Sequence, residues 1–186
     1  MKTIEINGNL RENLGKKESS QIRKAEQVPC VLYGGMDNIH FSLTINDVKK
    51  IIYTPEVYLV HLNVAGNTYP ALVKDVQYHP VNDAVLHIDF YHIVAGKNID
   101  VKIPVKLEGL SEGVKAGGKL SLQMRKLKVR GEAANIPDAL VVDVTNLGLG
   151  KAIKVGALNF DKMEILDPKN AVVAMVKLTR ASRGQE

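Results

Sequence analysis

The chain has 186 residues, 45% hydrophobic and 24% charged, with a formal net charge of +5 and one cysteine, Cys30. This excludes an internal disulfide and a low-complexity chain. With no apolar run near ~18 residues and no signal-like N-terminal stretch, it also argues against a membrane span and export. The expectation is a soluble cytoplasmic protein of one large or two small domains, with uneven charge: nine Lys/Arg against ten Asp/Glu in residues 1–96, and sixteen against ten in 97–186.

In chain order, Thr3 to Asn7 alternates as a strand and Gly8 reads as a turn. Residues 18–26 carry helix formers with serines as candidate N-caps. Pro29 stands at the entry to an apolar strand, Cys30 to Tyr33, ended by Gly34-Gly35. His40 to Ile45 alternates again, and Asn46 can cap a helix to Ile52 whose apolar stripe is Val48, Ile51 and Ile52. Strands follow at 57–64, 69–77 and 85–94, with turns at Gly66-Asn67 and Val81-Asn82-Asp83. The first half therefore reads as a six-stranded type of small β-barrel with short helices, residues 1–95. Strand patterning restarts after Ala95-Gly96-Lys97 with Ile99 to Leu107 and continues through Leu127 to Val129, 139–144 and 171–178. This predicts a C-terminal β-rich domain over 96–178 and a disordered basic tail over 179–186, a mainly β protein throughout.

The segment from Lys74 to Tyr91 carries the most chemistry. From Leu86 it alternates strictly, so Leu86, Ile88 and Phe90 should face a core and His87, Asp89 and Tyr91 the opposite side. A solvated strand face is more often Lys, Glu and Thr. This one offers ring planes and hydrogen-bonding groups, extended by Gln77 and the cation Lys74. A carboxylate near RNA is repelled by phosphates, so Asp89 fits there as an acceptor for base amino or imino groups. The alternative is a buried pair in which Asp89 merely orients His87. A second cluster, Arg11, Lys16, Lys17, Arg23 and Lys24, could clamp phosphates or form a solvated helix face. In the second half, Arg125, Lys126, Lys128 and Arg130 with Lys115 and Lys119 pose the same choice.

Three motifs also carry a resemblance: Arg11-Glu-Asn-Leu-Gly15-Lys16 with Ile22-Arg23-Lys24, then Val28-Pro-Cys-Val-Leu-Tyr-Gly-Gly35, then Lys74-Asp-Val-Gln77 followed by His87-Ile-Asp89-Phe90. In this order they resemble the bacterial large-subunit ribosomal proteins that bind 5S rRNA. The Pro- and Gly-marked second half fits the long form, also called the general stress protein or CTC family. The resemblance implies a structural ribosomal component in the cytoplasm, bound to 5S rRNA at an internal loop from the minor-groove side. It implies RNA contacts at Arg11, Gly15, Lys16, Arg23, Tyr33, Lys74, Gln77, His87 and Asp89. The C-terminal domain would meet neighbouring rRNA or proteins, with no cofactor, small-molecule substrate or membrane. Ser20 and Gln21 depart from the family's more basic pattern, which removes bidentate phosphate contacts.

Two other classes stay open at this point. His79, His87, Asp89 and His92 are ligand types for a metal-dependent enzyme, although His92 should face away from His87 and Asp89. A stress-related protein-binding module without an RNA role is the other. Cys30 lies in an apolar run where an inert thiol is expected, and no phosphate-binding or nucleophile motif occurs.

Overall fold

A computed structural model describes residues 1–35, 37–94 and 96–179; most of the expected tail, from Arg180 on, lies outside the described residues. The chain forms two compact units, Met1–Lys97 and Asn98–Glu186.

The first unit is a closed barrel of six strands: β1 (Lys2–Leu10), β2 (Gln27–Tyr33), β3 (Ile39–Thr44), β4 (Tyr58–Val64), β5 (Asn67–Tyr78) and β6 (Val85–His92), in the order β1-β3-β2-β6-β5-β4. Closure comes from the parallel pairing of β1 with β4 over Lys2 to Gly8. Inward residues of all six strands fill the interior, with Phe41 and Phe90 tilted against each other at 5.6 Å between ring centres. Cys30 is fully buried there, and burial pushes its thiol well above the ordinary range, as expected for an inert cysteine. Gly8 is not a turn. It lies inside β1, where a Cβ would come within 2.7 Å of the Phe41 ring and 3.0 Å of Val64, so the missing side chain makes room for Phe41.

Two helices accompany the barrel: α1 (Lys16–Lys24), packed along β2, and α2 (Ile45–Ile52), set against β2 and β3. Neither begins at the polar residue expected. Helix α1 starts two residues early, after Gly15, without a side-chain cap, and the nearby Ser19 hydroxyl accepts from Arg11 instead. Helix α2 is capped by Thr44, not Asn46. The Thr44 hydroxyl accepts the Asp47 N–H at 3.3 Å and donates to the Asp47 carboxylate at 2.8 Å, while Lys50 bonds the other oxygen. Those bonds hold the Asp47 carboxyl below its ordinary range, the Lys50 contact most of all.

The second unit has two sheets. The first takes β7 (Asn98–Glu108), β9 (Lys126–Glu132), β10 (Leu140–Asp143) and β12 (Met163–Ile165) in the order β10-β7-β9-β12. The second takes β8 (Lys119–Leu122), β11 (Ala152–Lys154) and β13 (Val172–Lys177) in the order β11-β13-β8. A single turn of helix, α3 (Glu112–Lys115), is capped by the buried Ser111. The core of this unit takes alternate residues of β7 and β9, Ile99, Val101, Ile103 and Val105 on the first and Leu127 and Val129 on the second, together with Val173, Ala174 and Val176 of β13. The sequence did not suggest α3, β11 or β12, which are three or four residues long, too short to show a period.

Three prolines sit inside strands flanked on both sides. Pro29 precedes the point where the β2–β6 ladder begins, Cys30↔Ile88. Pro70 follows the last β5–β6 pair, Ala71↔His92, toward the strand's start, and Pro104 precedes the first β7–β10 pair, Val105↔Leu140. The Val105 N–H bonds the carbonyl of Arg125, just before β9, so the nitrogen of Pro104 faces β10, at a level the β10 ladder does not reach.

Candidate nucleic-acid interface

Strands β2, β6 and β5 lie side by side, and their outward residues form one surface. Registers Tyr33↔Tyr91 and Val31↔Asp89 join β2 to β6; Asp75↔Asp89 and Gln77↔His87 join β6 to β5. Tyr33, Gln77, His87 and Asp89, four of the expected site residues, thus share the outer face with Tyr91 and Asp75.

Two β-bulges shape this surface. On β5 the register shifts between Val73 and Asp75, making Lys74 the extra residue; on β6 Leu86 is extra, since Gln77↔His87 is followed by Tyr78↔Val85. The first bulge lets Lys74, at odd spacing from Gln77, reach the same face, where its Nζ lies 5.9 Å from the centre of the Tyr91 ring. The second corrects the alternation expected from sequence. Val85 is buried in the core with Ile88 and Phe90, whereas Leu86 is only half-buried and its carbonyl accepts a 3.0 Å hydrogen bond from Arg23 Nε.

The polar residues are held in place before any partner arrives. His87 Nδ1 and Asp89 Oδ1 are 2.8 Å apart, with side chains 25% and 29% exposed, so Asp89 does orient His87 but the pair is not buried. The exposed Asp75 stands directly across the strand pair from Asp89. Tyr33 and Tyr91 meet edge to face at 5.7 Å. Partial burial, then Asp89, Asp75 and Tyr91, raise the Tyr33 hydroxyl above its ordinary pKa, so it stays protonated and able to donate. Gly34 explains the fit of Tyr91. Its φ is +96°, and a Cβ there would lie 2.7 Å from the Tyr91 ring.

The basic residues divide. Arg23, at the end of α1, spends Nε on the Leu86 carbonyl, which ties the helix to β6 and leaves the rest of an exposed guanidinium outward. Arg11 is half-buried: Nη2 donates to Ser19 Oγ at 3.3 Å, and Nε is buried with no hydrogen-bond partner among the described residues. Its first visible work is to brace α1. Gly15 and Lys16 stand exposed at the opposite end of α1 from Arg23, about 12 Å away for a nine-residue helix. Gly15 has extended backbone that any residue adopts, and a Cβ there would touch nothing within 4 Å. The fold itself does not require that glycine.

His92 packs on the Tyr69 ring, away from His87 and Asp89, and no group of three His, Cys, Asp or Glu suited to a metal ion occurs among the described residues. Sequence reasoning undervalued Tyr91 and missed Asp75. The strict alternation of β6 could have found the first; the second needed the bulge at Lys74, which alternation does not announce.

Residues 6–90 match the model of the Ribosomal L25p family, and residues 98–180 match that of the C-terminal domain of ribosomal protein TL5. Among similar proteins, the large ribosomal subunit protein bL25 of Phocaeicola vulgatus is 51% identical over 191 residues, covering 99% of this chain and 96% of that protein. Its counterpart in Azobacteroides pseudotrichonymphae is 50% identical, covering 98% and 97%, and that of Porphyromonas gingivalis 48% identical, covering 99% and 97%. No described helix is long and apolar enough to cross a membrane. With one family model matched in each unit and relatives aligned from end to end, the chain belongs to the bL25 family, in the form that carries a TL5-type C-terminal domain.

Proposed function

We propose that the barrel binds 5S rRNA through the outer face of β2, β6 and β5, and so supports the placement of that RNA in the central protuberance. The wider role follows from the family: a structural protein of the large ribosomal subunit in the cytoplasm, associated with rRNA, and not an enzyme.

The observation that carries the reading is the company Asp89 keeps. Two carboxylates, Asp75 and Asp89, face each other across an exposed strand pair, an arrangement that costs stability. They are flanked by Gln77, His87 and two tyrosines. Acceptors held in that way suit the amino and imino donors of base edges, which phosphate-seeking surfaces do not need. A regular A-form helix hides base edges in its deep groove, so the match is to a widened, shallow stretch such as an internal loop. Along β6, His87 to Tyr91 spans about 13 Å, room for a few base pairs. Tyr33 and Tyr91 supply ring faces. Lys74, the free part of Arg23, and Lys16 with the uncapped N-terminus of α1 and the open backbone at Gly15 supply phosphate contacts on either side. Arg11 contributes by holding α1 in position.

The test is a gel-shift titration of 5S rRNA against an unrelated structured RNA of equal length, at two salt concentrations. Tight binding to 5S rRNA alone that survives the higher salt is the expected result. Weak, equal, salt-erased binding to both would refute the reading and leave a protein-binding role.

A further inference from the structure

We propose that the outer face of β7 and β9, in the second unit, is a separate RNA-binding surface that grips the phosphate backbone of a duplex without reading its sequence.

The core side of this sheet takes Ile99, Val101, Ile103 and Val105 from β7 and Leu127 and Val129 from β9, so the even-numbered residues point outward. On that outward face stand Lys102, Lys106, Lys126 and Lys128. Lys102 and Lys128 are directly opposite across the strand pair, about 5 Å apart at Cβ, where like charges destabilise a sheet. The acids are pushed to the ends. Asp100 bonds Arg130 at 2.8 and 3.3 Å and reaches Lys128 at 3.7 Å, Glu164 pairs in register with Arg130, and Glu108 and Asp143 lie at the other end. Among the described ion pairs none involves Lys102, Lys106, Arg125 or Lys126.

A solvated sheet face normally alternates its charges. This one gathers four cations, and the carboxylates that approach Lys128 are already engaged, Asp100 with Arg130 and Asp167 with the Lys128 N–H at 2.7 Å. The partner chemistry follows from what else is missing. The cluster contains no aromatic ring, so unpaired bases find no stacking platform and a single strand is not the match. Lysine is depleted at protein–protein interface cores, which argues against a protein partner. A flat row of point charges fits the phosphates bordering a shallow groove, where Lys acts without bidentate geometry.

The experiment uses the full chain and an RNA duplex of about 16 base pairs without internal loops, the span a shape-reading domain covers. Affinity is measured by fluorescence anisotropy across a salt series for wild type, for Lys102→Gln/Lys126→Gln/Lys128→Gln, and for a control of equal charge change, Lys151→Gln/Lys154→Gln/Lys169→Gln. The first triple should lower the slope of log affinity against log salt by about two to three units, and the control should leave it near wild type. Its denaturation midpoint should not fall below wild type, because a repulsive pair has been removed. Equal losses in both triples would reduce the cluster to bulk charge and overturn the proposal. So would duplex binding unchanged in the first triple, even if that variant were lost from large subunits, since the partner would then be a protein.

Discussion

Each unit of this protein places two like charges directly opposite one another on an exposed antiparallel strand pair, with reversed sign. In the barrel the pair is Asp75 and Asp89; in the second unit it is Lys102 and Lys128. Neither helps the fold, because such neighbours repel. The surroundings separate their uses. The carboxylates sit among a histidine, a glutamine and two tyrosines, groups that recognise donors and ring faces. The lysines sit among further cations and no rings, a composition that recognises charge alone. The total of +5 conceals this, since a half that is nearly neutral by count can carry the more selective surface.

That contrast can be broken at several points. The largest effect should come from Gly34→Ala, which forces a side chain into positive φ and into the Tyr91 ring. We expect a loss of about 1–3 kcal/mol in stability together with weakened binding of 5S rRNA, read by chemical denaturation and gel shift. Cys30 provides the fold control: buried at 0% exposure, it should resist thiol reagents unless the barrel opens. Asp89→Ala should cost about 1–3 kcal/mol of 5S rRNA binding with the salt slope nearly unchanged, because a base contact releases no counterion. Wild-type binding by that variant would reduce Asp89 to a partner that orients His87. Lys74→Gln should act the other way, lowering the slope by about one unit while affecting all RNAs alike. The smallest effect should be in stability. Asp75→Asn relieves the carboxylate pair and should stabilise the barrel by about 0.2–1 kcal/mol while weakening 5S rRNA binding. If Asp75→Asn destabilises instead, the two carboxylates do not repel and the contrast fails on the barrel side.

Much of this architecture was legible in the sequence where the pattern is local and long. β6 and β7 show their period in eight and eleven residues, and α2 shows its stripe. What escaped depends on partners distant in sequence. Gly8 reads as a turn until Phe41 is seen to need its space. Asn46 is as good a cap as Thr44 until the backbone of Glu26 accepts the Ile45 N–H and sets where the helix begins. At the candidate site, alternation alone placed His87, Asp89 and Tyr91 on one face. It put Leu86 inside and could not bring Lys74 beside Tyr91, because both depend on bulges defined by the pairing of β5 with β6. The basic residues were the least legible. Charge says that Arg11 and Arg23 are cations, while only packing says that Arg11 is half-buried under α1 and that Arg23 has committed one nitrogen to β6.

Pro104 bears on how the strands find one another. Alternating hydrophobic patterns forbid a slip of one residue, which would turn every side chain to the wrong face, but they tolerate a slip of two. In β7 a slip that slid β10 two residues toward the start of the strand would bring Pro104 into the ladder, where it has no N–H to give. Pro104 thus acts as a one-way stop on its sheet, rejecting the misalignment that hydrophobic burial alone would accept.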